Sequence, residues 1–69
     1  MEKSKMIWIA TKYFSKGYSE DQMRYGDDCY HLEGEEGEKV KDQIVDYMDE
    51  IKSIGTIAFY EKYKEYKLF

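Results

Sequence analysis

The stretch EKVKDQIVDYMDEIKSIG, residues 38–55, decides the fold because it carries the clearest periodic pattern in the 69-residue chain. Its apolar residues are mostly spaced by three or four positions, as on one side of an α-helix. They are Val40, Ile44, Tyr47, Met48, Ile51 and Ile54. Gly55 follows them, at the position where a glycine commonly ends a helix. The pattern therefore predicts a helix from about Glu38 to Ile54, stabilised by burial of its apolar stripe.

The first apolar run, KMIWIATKYF, favours a β-strand from Lys5 to Phe14, because it is rich in β-branched and aromatic residues and has no break. On strand alternation, one face carries Met6, Trp8 and Ala10, and the other carries Ile7, Ile9, Thr11 and Tyr13. Both faces are apolar, so we expect this strand to be central or to lie in an interface. The following segment is loop-like, and Ser19 is placed to cap a short helical turn through Arg24.

Two further segments are predicted as strands. DCYHLE spans Asp28 to Glu33, and TIAFYEKYKEY spans Thr56 to Tyr66. The second of these is ambiguous beyond Tyr60. Helical spacing is met by Phe59, Tyr63 and Tyr66, whereas one face of a long strand would carry Ile57, Phe59, Tyr63 and Phe69. We predict the strand.

The resulting element order is β-β-α-β. The simplest architecture for it is an α+β fold, in which a small and mainly antiparallel sheet is covered on one face by one amphipathic helix. Residues 1–69 are predicted to form a single domain, and a domain of this size is marginally stable as a lone monomer. Tyr and Trp are common at interfaces, so we expect a homodimer whose contacts include Trp8, Tyr60, Tyr63 and Tyr66.

Cysteine usage and hydropathy bear on the compartment. Cys29 is the sole cysteine, so the chain has no internal disulfide and no zinc site built on several cysteines. The run Met6–Ala10 is far too short to cross a bilayer and lacks the features of a secretory signal. One unpaired cysteine is typical of a reducing compartment. These observations predict a cytoplasmic protein, acting in the host cytoplasm if the chain is encoded by a phage.

Charge is distributed very unevenly. Residues 20–50 hold twelve carboxylates against three cations, a net charge of −9, whereas residues 1–19 carry +3 and residues 51–69 carry +2. Within the predicted helix, an i, i+4 series of acids runs Glu38, Asp42, Asp46, Glu50. We predict a partner-binding face formed by Glu35, Glu36, Glu38, Asp42, Asp46, Asp49 and Glu50.

Two explanations of this acidic face stay open. The first is a solvated surface, and acids such as Glu35 and Glu36 are favourable near a helix N-terminus, where free N–H groups carry partial positive charge. The second is a binding surface, because Asp46, Asp49 and Glu50 lie in the C-terminal half, where anions are disfavoured. Like charges four residues apart also cost about 0.2–0.5 kcal/mol each. Such a row resembles the charge pattern of DNA and suits a basic, nucleic-acid-binding protein; DNA itself would be repelled.

Other functional patterns are weaker. Cys29 and His31 share a strand face, which would suit a metal ligand pair or a nucleophile, but a packed cysteine and a hydrogen-bonded histidine are commoner. The tail YEKYKEYKLF mixes Tyr with Lys, as in proteins that bind single-stranded nucleic acid, although edge strands carry similar charges. We therefore predict no catalytic residue, no metal ligand and no cofactor, and hence a non-enzymatic protein.

The overall character of the chain resembles the small early proteins of phages that infect low-G+C Gram-positive bacteria. The resemblance lies in the absence of proline, the acidic helix EKVKDQIVDYMDE and the Tyr/Lys tail. Many such proteins take over the host by inhibiting a host enzyme, a nucleoid protein or an immune system, and some are DNA mimics. The resemblance implies an inhibitor of a host protein. Two alternatives are an inhibitor of a defence or metabolic protein that acts through an aromatic Tyr/Trp surface, and a small nucleic-acid-binding domain.

Overall fold

A computed structural model describes residues 1–66, and every regular element in that range is helical. The elements are α1 (Lys3–Ser15), α2 (Glu20–Arg24), α3 (Gly34–Ile54), α4 (Thr56–Lys62) and a final 3₁₀ turn (Lys64–Tyr66). The predicted α+β fold with a β-β-α-β sheet is therefore wrong, because no strand occurs anywhere in the described part of the chain. The protein is small and all-helical.

Helix α1 replaces the first predicted strand, Lys5 to Phe14. Its buried residues are Ile7, Ile9, Ala10, Thr11 and Tyr13. Ile7, Ala10 and Thr11 are spaced as on one side of a helix, and this side packs against α3. The Thr11 hydroxyl donates to the carbonyl of Trp8 at 2.8 Å, which satisfies a polar group within the helix. Burial against α3 thus outweighs the modest β preference of these residues.

Helix α2 confirms the predicted Ser19 cap. The Ser19 hydroxyl accepts from the backbone N–H of Gln22, and the Gln22 side chain accepts from the backbone N–H of Ser19. This reciprocal pair is a capping box, which satisfies two N–H groups that a helix end leaves free. The helix ends at Arg24, as predicted from the sequence.

The segment after α2 is a series of turns, so the second predicted strand, Asp28 to Glu33, is also wrong. Backbone N–H groups of Cys29 and Tyr30 donate back to the carbonyl of Gly26 at 3.1 and 2.9 Å. The Asp28 carboxylate accepts from Lys12 Nζ and from the hydroxyl of Tyr13, both at 3.0 Å. These bonds fasten the turn segment to α1.

Helix α3 is the predicted helix, and it ends at Ile54 as expected but begins four residues earlier, at Gly34. Its N-terminal turn lies close to the preceding chain. A Cβ added at Gly37 would lie 2.7 Å from the carbonyl carbon of Leu32, so only glycine fits there without a shift. Lys41 is buried along its aliphatic stem, while its ammonium group lies 3.7 Å from Glu38.

Helix α4 replaces the third predicted strand, Thr56 to Tyr66. Gly55 stands at φ 90°, a conformation that side-chain-bearing residues rarely adopt, and it separates α3 from α4. Phe59 is fully buried, and its ring centroid lies 4.7 Å from that of Tyr63 and 6.5 Å from that of Tyr47. The helical spacing of Phe59 and Tyr63 was therefore the correct alternative. Phe69 lies outside the described residues.

The buried side chains of α1, α2, α3 and α4 form one hydrophobic cluster. Both α1 and α4 pack against α3. Helix α3 is therefore the central element of the fold, and its remaining side is the surface that carries the acids.

Candidate protein-interaction surface

Six of the seven carboxylates predicted to bind a partner are exposed on α3. They are Glu35, Glu36, Glu38, Asp42, Asp46 and Asp49. The seventh, Glu50, is partly buried against α4. The structure therefore brings the predicted acids together on one helix, with the apolar stripe turned toward α1 and α4.

Arg24 engages three carboxylates at the N-terminal part of this surface. Its guanidinium donates to Glu20 and Glu38, each at 3.0 Å, and also to Asp42. Hydrogen bonds to Asp42 and Glu20 raise the pKa of the Arg24 guanidinium above its ordinary value. One cation is thus shared by three anions, so the cluster keeps a negative charge. Only the Glu20–Arg24 ion pair of this cluster was predictable from the sequence, because these two residues are spaced i, i+4.

Glu50 is held by α4. Its carboxylate accepts from Lys62 and from the hydroxyl of Tyr63, the latter at 2.6 Å. The bond from Lys62, followed by that from Tyr63, lowers the pKa of Glu50 below its ordinary value. Glu50 therefore anchors α4 on α3. This structural role was not apparent from the position of Glu50 in the acidic series.

The acidic series is consequently not a continuous row of free anions. Glu38, Asp42 and Glu50 are in ion pairs, whereas Asp46 and Asp49 have no polar partner among residues 1–66. Glu35 has only a long contact, 3.9 Å, with Lys39. The surface still remains strongly negative. Residues 20–50 carry −9, and the two lysines that reach them from outside, Lys12 and Lys62, reduce this to −7.

A groove opens beside the C-terminal half of this acidic surface. It lies between the C-terminal end of α1, the loop that follows it and α3, and its volume is about 440 Å³. Its apolar lining comes from Phe14, Tyr18, Val45 and Met48. Charged groups at the groove are Glu20, Asp49 and Lys52. Sequence reasoning did not find the groove, because Phe14 and Tyr18 were assigned to a strand and a loop.

The four aromatic residues predicted at a dimer interface have different environments. Tyr63 is only 8% exposed and belongs to the internal aromatic cluster, while Tyr60 and Tyr66 are partly buried. Trp8 is 37% exposed. Lys5 and Lys12 place their ammonium groups 4.5 and 4.9 Å from its ring centroid. The dimer stays a prediction, with Trp8 the most accessible of its proposed contacts.

Cys29 and His31 do not form a site together. Cys29 is fully buried, with its Sγ 3.7 Å from the sulfur of Met23, whereas His31 is exposed beside the ring of Tyr30. Burial raises the pKa of the Cys29 thiol, so it is a poor nucleophile near neutral pH. Within the described range, no three His, Cys, Asp or Glu side chains are grouped closely enough to hold a metal ion.

The described part of the Tyr/Lys tail, residues 60–66, lies in the end of α4 and in the 3₁₀ turn instead of in an edge strand. Two of its lysines are close to carboxylates: Lys62 pairs with Glu50, and Lys64 lies 3.9 Å from Glu61. Lys67 is outside the described residues. Lys3 also lies at this end, with its ammonium group 5.5 Å from the ring centroid of Tyr66. Nucleic-acid binding through this tail stays a prediction.

No protein-family model matches this chain, and neither a curated protein nor a solved structure resembles it significantly. For residues 1–66, no helix combines the length and the apolar character that a bilayer-spanning segment requires.

Proposed function

We propose that this chain is a non-enzymatic interaction protein that binds a basic protein through the acidic surface of α3. The observation that carries the proposal is the placement of Asp46 and Asp49. Both are exposed, neither has a polar partner within residues 1–66, and both lie in the C-terminal half of α3, far from the N-terminal turn where a helix favours anions. Stability alone gives no reason to place these two carboxylates there, whereas a cationic partner does.

The proposal rests on net charge and not on imitation of the DNA backbone. Glu38, Asp42 and Glu50 form ion pairs within the protein, so free carboxylates do not recur at every turn of α3. The charge of −7 that remains on residues 20–50 is still sufficient to steer a basic partner by long-range attraction. The resemblance to early phage proteins makes a host protein the expected partner and the host cytoplasm the expected compartment.

Charge reversal at Asp46 and Asp49 tests this function. Asp42 and Glu50 are less suitable positions, because reversal there would also break the ion pairs with Arg24 and Lys62. The tagged protein is used to capture partners from a Gram-positive lysate, and bound proteins are released with rising NaCl. We expect basic proteins to be retained, to elute at elevated salt and to be lost in the Asp46→Lys, Asp49→Lys double variant.

The matched control is the Asp27→Lys, Glu65→Lys double variant, which changes net charge equally but away from α3. Both of its positions are exposed, and the control is expected to retain the partner. The proposal is wrong if the Asp46/Asp49 variant still captures the same proteins at the same salt. It is also wrong if the captured proteins carry no basic surface.

A further inference from the structure

The groove beside α3 supplies apolar contact area that the acidic surface lacks. We propose that it receives a large apolar side chain of the partner, with a lysine or arginine next to that side chain in the partner's sequence. This inference rests on the proposed function. It specifies which side chains of the partner bind beside the C-terminal half of the acidic surface. It predicts contacts that high salt does not abolish.

The size and lining of the groove support an apolar occupant. Its volume of about 440 Å³ falls within the roughly 300–1,000 Å³ of clefts that hold small ligands. Val45 and Phe14 are only half-buried, and Tyr18 is exposed. Met48, the buried member of the apolar lining, has an adaptable side chain that makes favourable contacts with aromatic rings. An aromatic side chain would cover these groups and remove their apolar surface from water.

The charges at the groove favour a cation beside that side chain. Two carboxylates, Glu20 and Asp49, lie at the groove against one ammonium group, Lys52. Glu20 is engaged with Arg24, but Asp49 has no polar partner in the described chain and is therefore available. Asp46, three residues earlier on α3, is exposed as well. A basic residue adjacent to the apolar one can pair with Asp49, and the excess of carboxylates around the groove favours it over an acidic residue, for which Lys52 is the one cation in the lining.

The test titrates the ¹⁵N-labelled full chain with the peptide acetyl-Gly-Trp-Lys-Gly-amide and follows backbone amide shifts by NMR. Two control peptides replace Lys by Glu or Trp by Ala. We expect shifts at Phe14, Tyr18, Met48 and Asp49, with binding at least about tenfold weaker for each control peptide, equivalent to ~1.4 kcal/mol. Equal binding of the three peptides, or shifts centred on Trp8 or Ile57, would overturn the inference.

A pair of variants links the groove to the natural partner. Val45→Lys places a charged side chain in the groove, and Gln43→Lys makes the same charge change on an exposed position of α3 outside it. Thermal melting checks that both variants fold. In lysate capture at low salt, below the concentration that elutes the partner, we expect Val45→Lys to lose at least about tenfold more bound partner than Gln43→Lys.

The two proposals fail separately. Partner binding that survives Val45→Lys but not the Asp46/Asp49 reversal would remove the groove inference and leave the acidic-surface function intact. Loss in both variants supports both proposals. Groove resonances that shift with protein concentration alone, without any peptide, would identify a second copy of this chain as the occupant and contradict the inference.

Discussion

Arg24 on α2 donates from its Nη1 to the Oε2 of Glu38 on α3 at 3.0 Å, and a second bond, from its Nη2 to Asp42, joins the same two helices. Helix α2 has five residues, far fewer than the ~12–15 that an isolated helix needs to be even marginally stable. Its position therefore depends on the buried side chain of Met23 and on the ion pairs of Arg24. Arg24 also keeps three carboxylates from repelling one another.

The Arg24→Gln variant should lower the free energy of unfolding by about 1 kcal/mol, the scale of ion pairs that are partly solvent-exposed. Hydrogen exchange should accelerate most at α2, because that helix loses its link to α3. High salt should destabilise the wild type more than the variant, since screening weakens the same ion pairs. Chemical denaturation and hydrogen-exchange mass spectrometry measure the two effects.

Lys39→Gln is the matched control for this prediction. It also removes one cation near the acidic surface, but within residues 1–66 its one ion pair is with Glu35 at 3.9 Å, and both side chains are highly exposed. We expect a change in stability within about 0.5 kcal/mol. If the two variants behaved alike, the ion pairs of Arg24 would have no special part in holding α2.

Phe59→Ala should cost about 3–5 kcal/mol, because Phe59 is completely buried and contacts the rings of Tyr47 and Tyr63. In a domain of this size such a loss would detach α4 or unfold the chain. Ile57→Ala, two residues earlier on the same helix, is the control, since Ile57 is 81% exposed. Circular dichroism during thermal melting would show the difference, and similar melting of the two variants would contradict the assignment of α4 to the core.

Acid should weaken the contact between α3 and α4. The pKa of Glu50 is lowered in the folded protein from its ordinary value of 4.5, so its contribution to stability is complete above that value. The contribution is lost progressively as the pH falls through the lowered pKa of the folded state. Unfolding free energies measured from pH 7 downward should therefore decline below about pH 5, and the decline should be shallower in Glu50→Gln. An unchanged slope in that variant would contradict this account of Glu50.

Gly37→Ala should destabilise the protein, although alanine is the better helix former by about 1 kcal/mol. The added methyl group would lie 2.7 Å from the carbonyl carbon of Leu32, a backbone atom that moves only if the chain entering α3 shifts. Ser53→Ala, at an exposed position of the same helix, should instead be neutral or slightly stabilising. Equilibrium denaturation of both variants provides the comparison, and a gain in stability for Gly37→Ala would disprove the close packing.

The sequence correctly predicted the features that depend on residues close to one another in the chain. The apolar spacing from Val40 to Ile54 located α3, Gly55 located its end, and Ser19 located the cap of α2. Helix α1 was missed because Ile7, Ile9 and Trp8 favour strands on their own, and the helical spacing of Ile7, Ala10 and Thr11 carries weight only when α3 is there to cover it. The choice was therefore made by packing between elements, which a local pattern does not contain.

The candidate site was predictable to a similar extent. The sequence identified the carboxylates of α3 and the exposure of six of the seven, including Asp46 and Asp49, but not the partial burial of Glu50. It did not identify which of them have ion-pair partners. Arg24 pairs with Asp42 across a separation of 18 positions in the chain, and Lys62 pairs with Glu50 across a separation of 12. The groove was missed for the same reason, since Phe14 and Met48 come together only when α1 packs on α3.

The separation of charge between α1 and α3 has a consequence for how the protein arrives at a partner. Lysines such as Lys3 and Lys5 are exposed on α1, whose buried side faces α3, and the free carboxylates lie on the outer side of α3. This arrangement separates the positive charge on α1 from the negative charge on α3. In the field of a positively charged surface the protein would be rotated during diffusion until α3 leads. Orientation would then precede contact, and added salt would slow association more than it speeds dissociation.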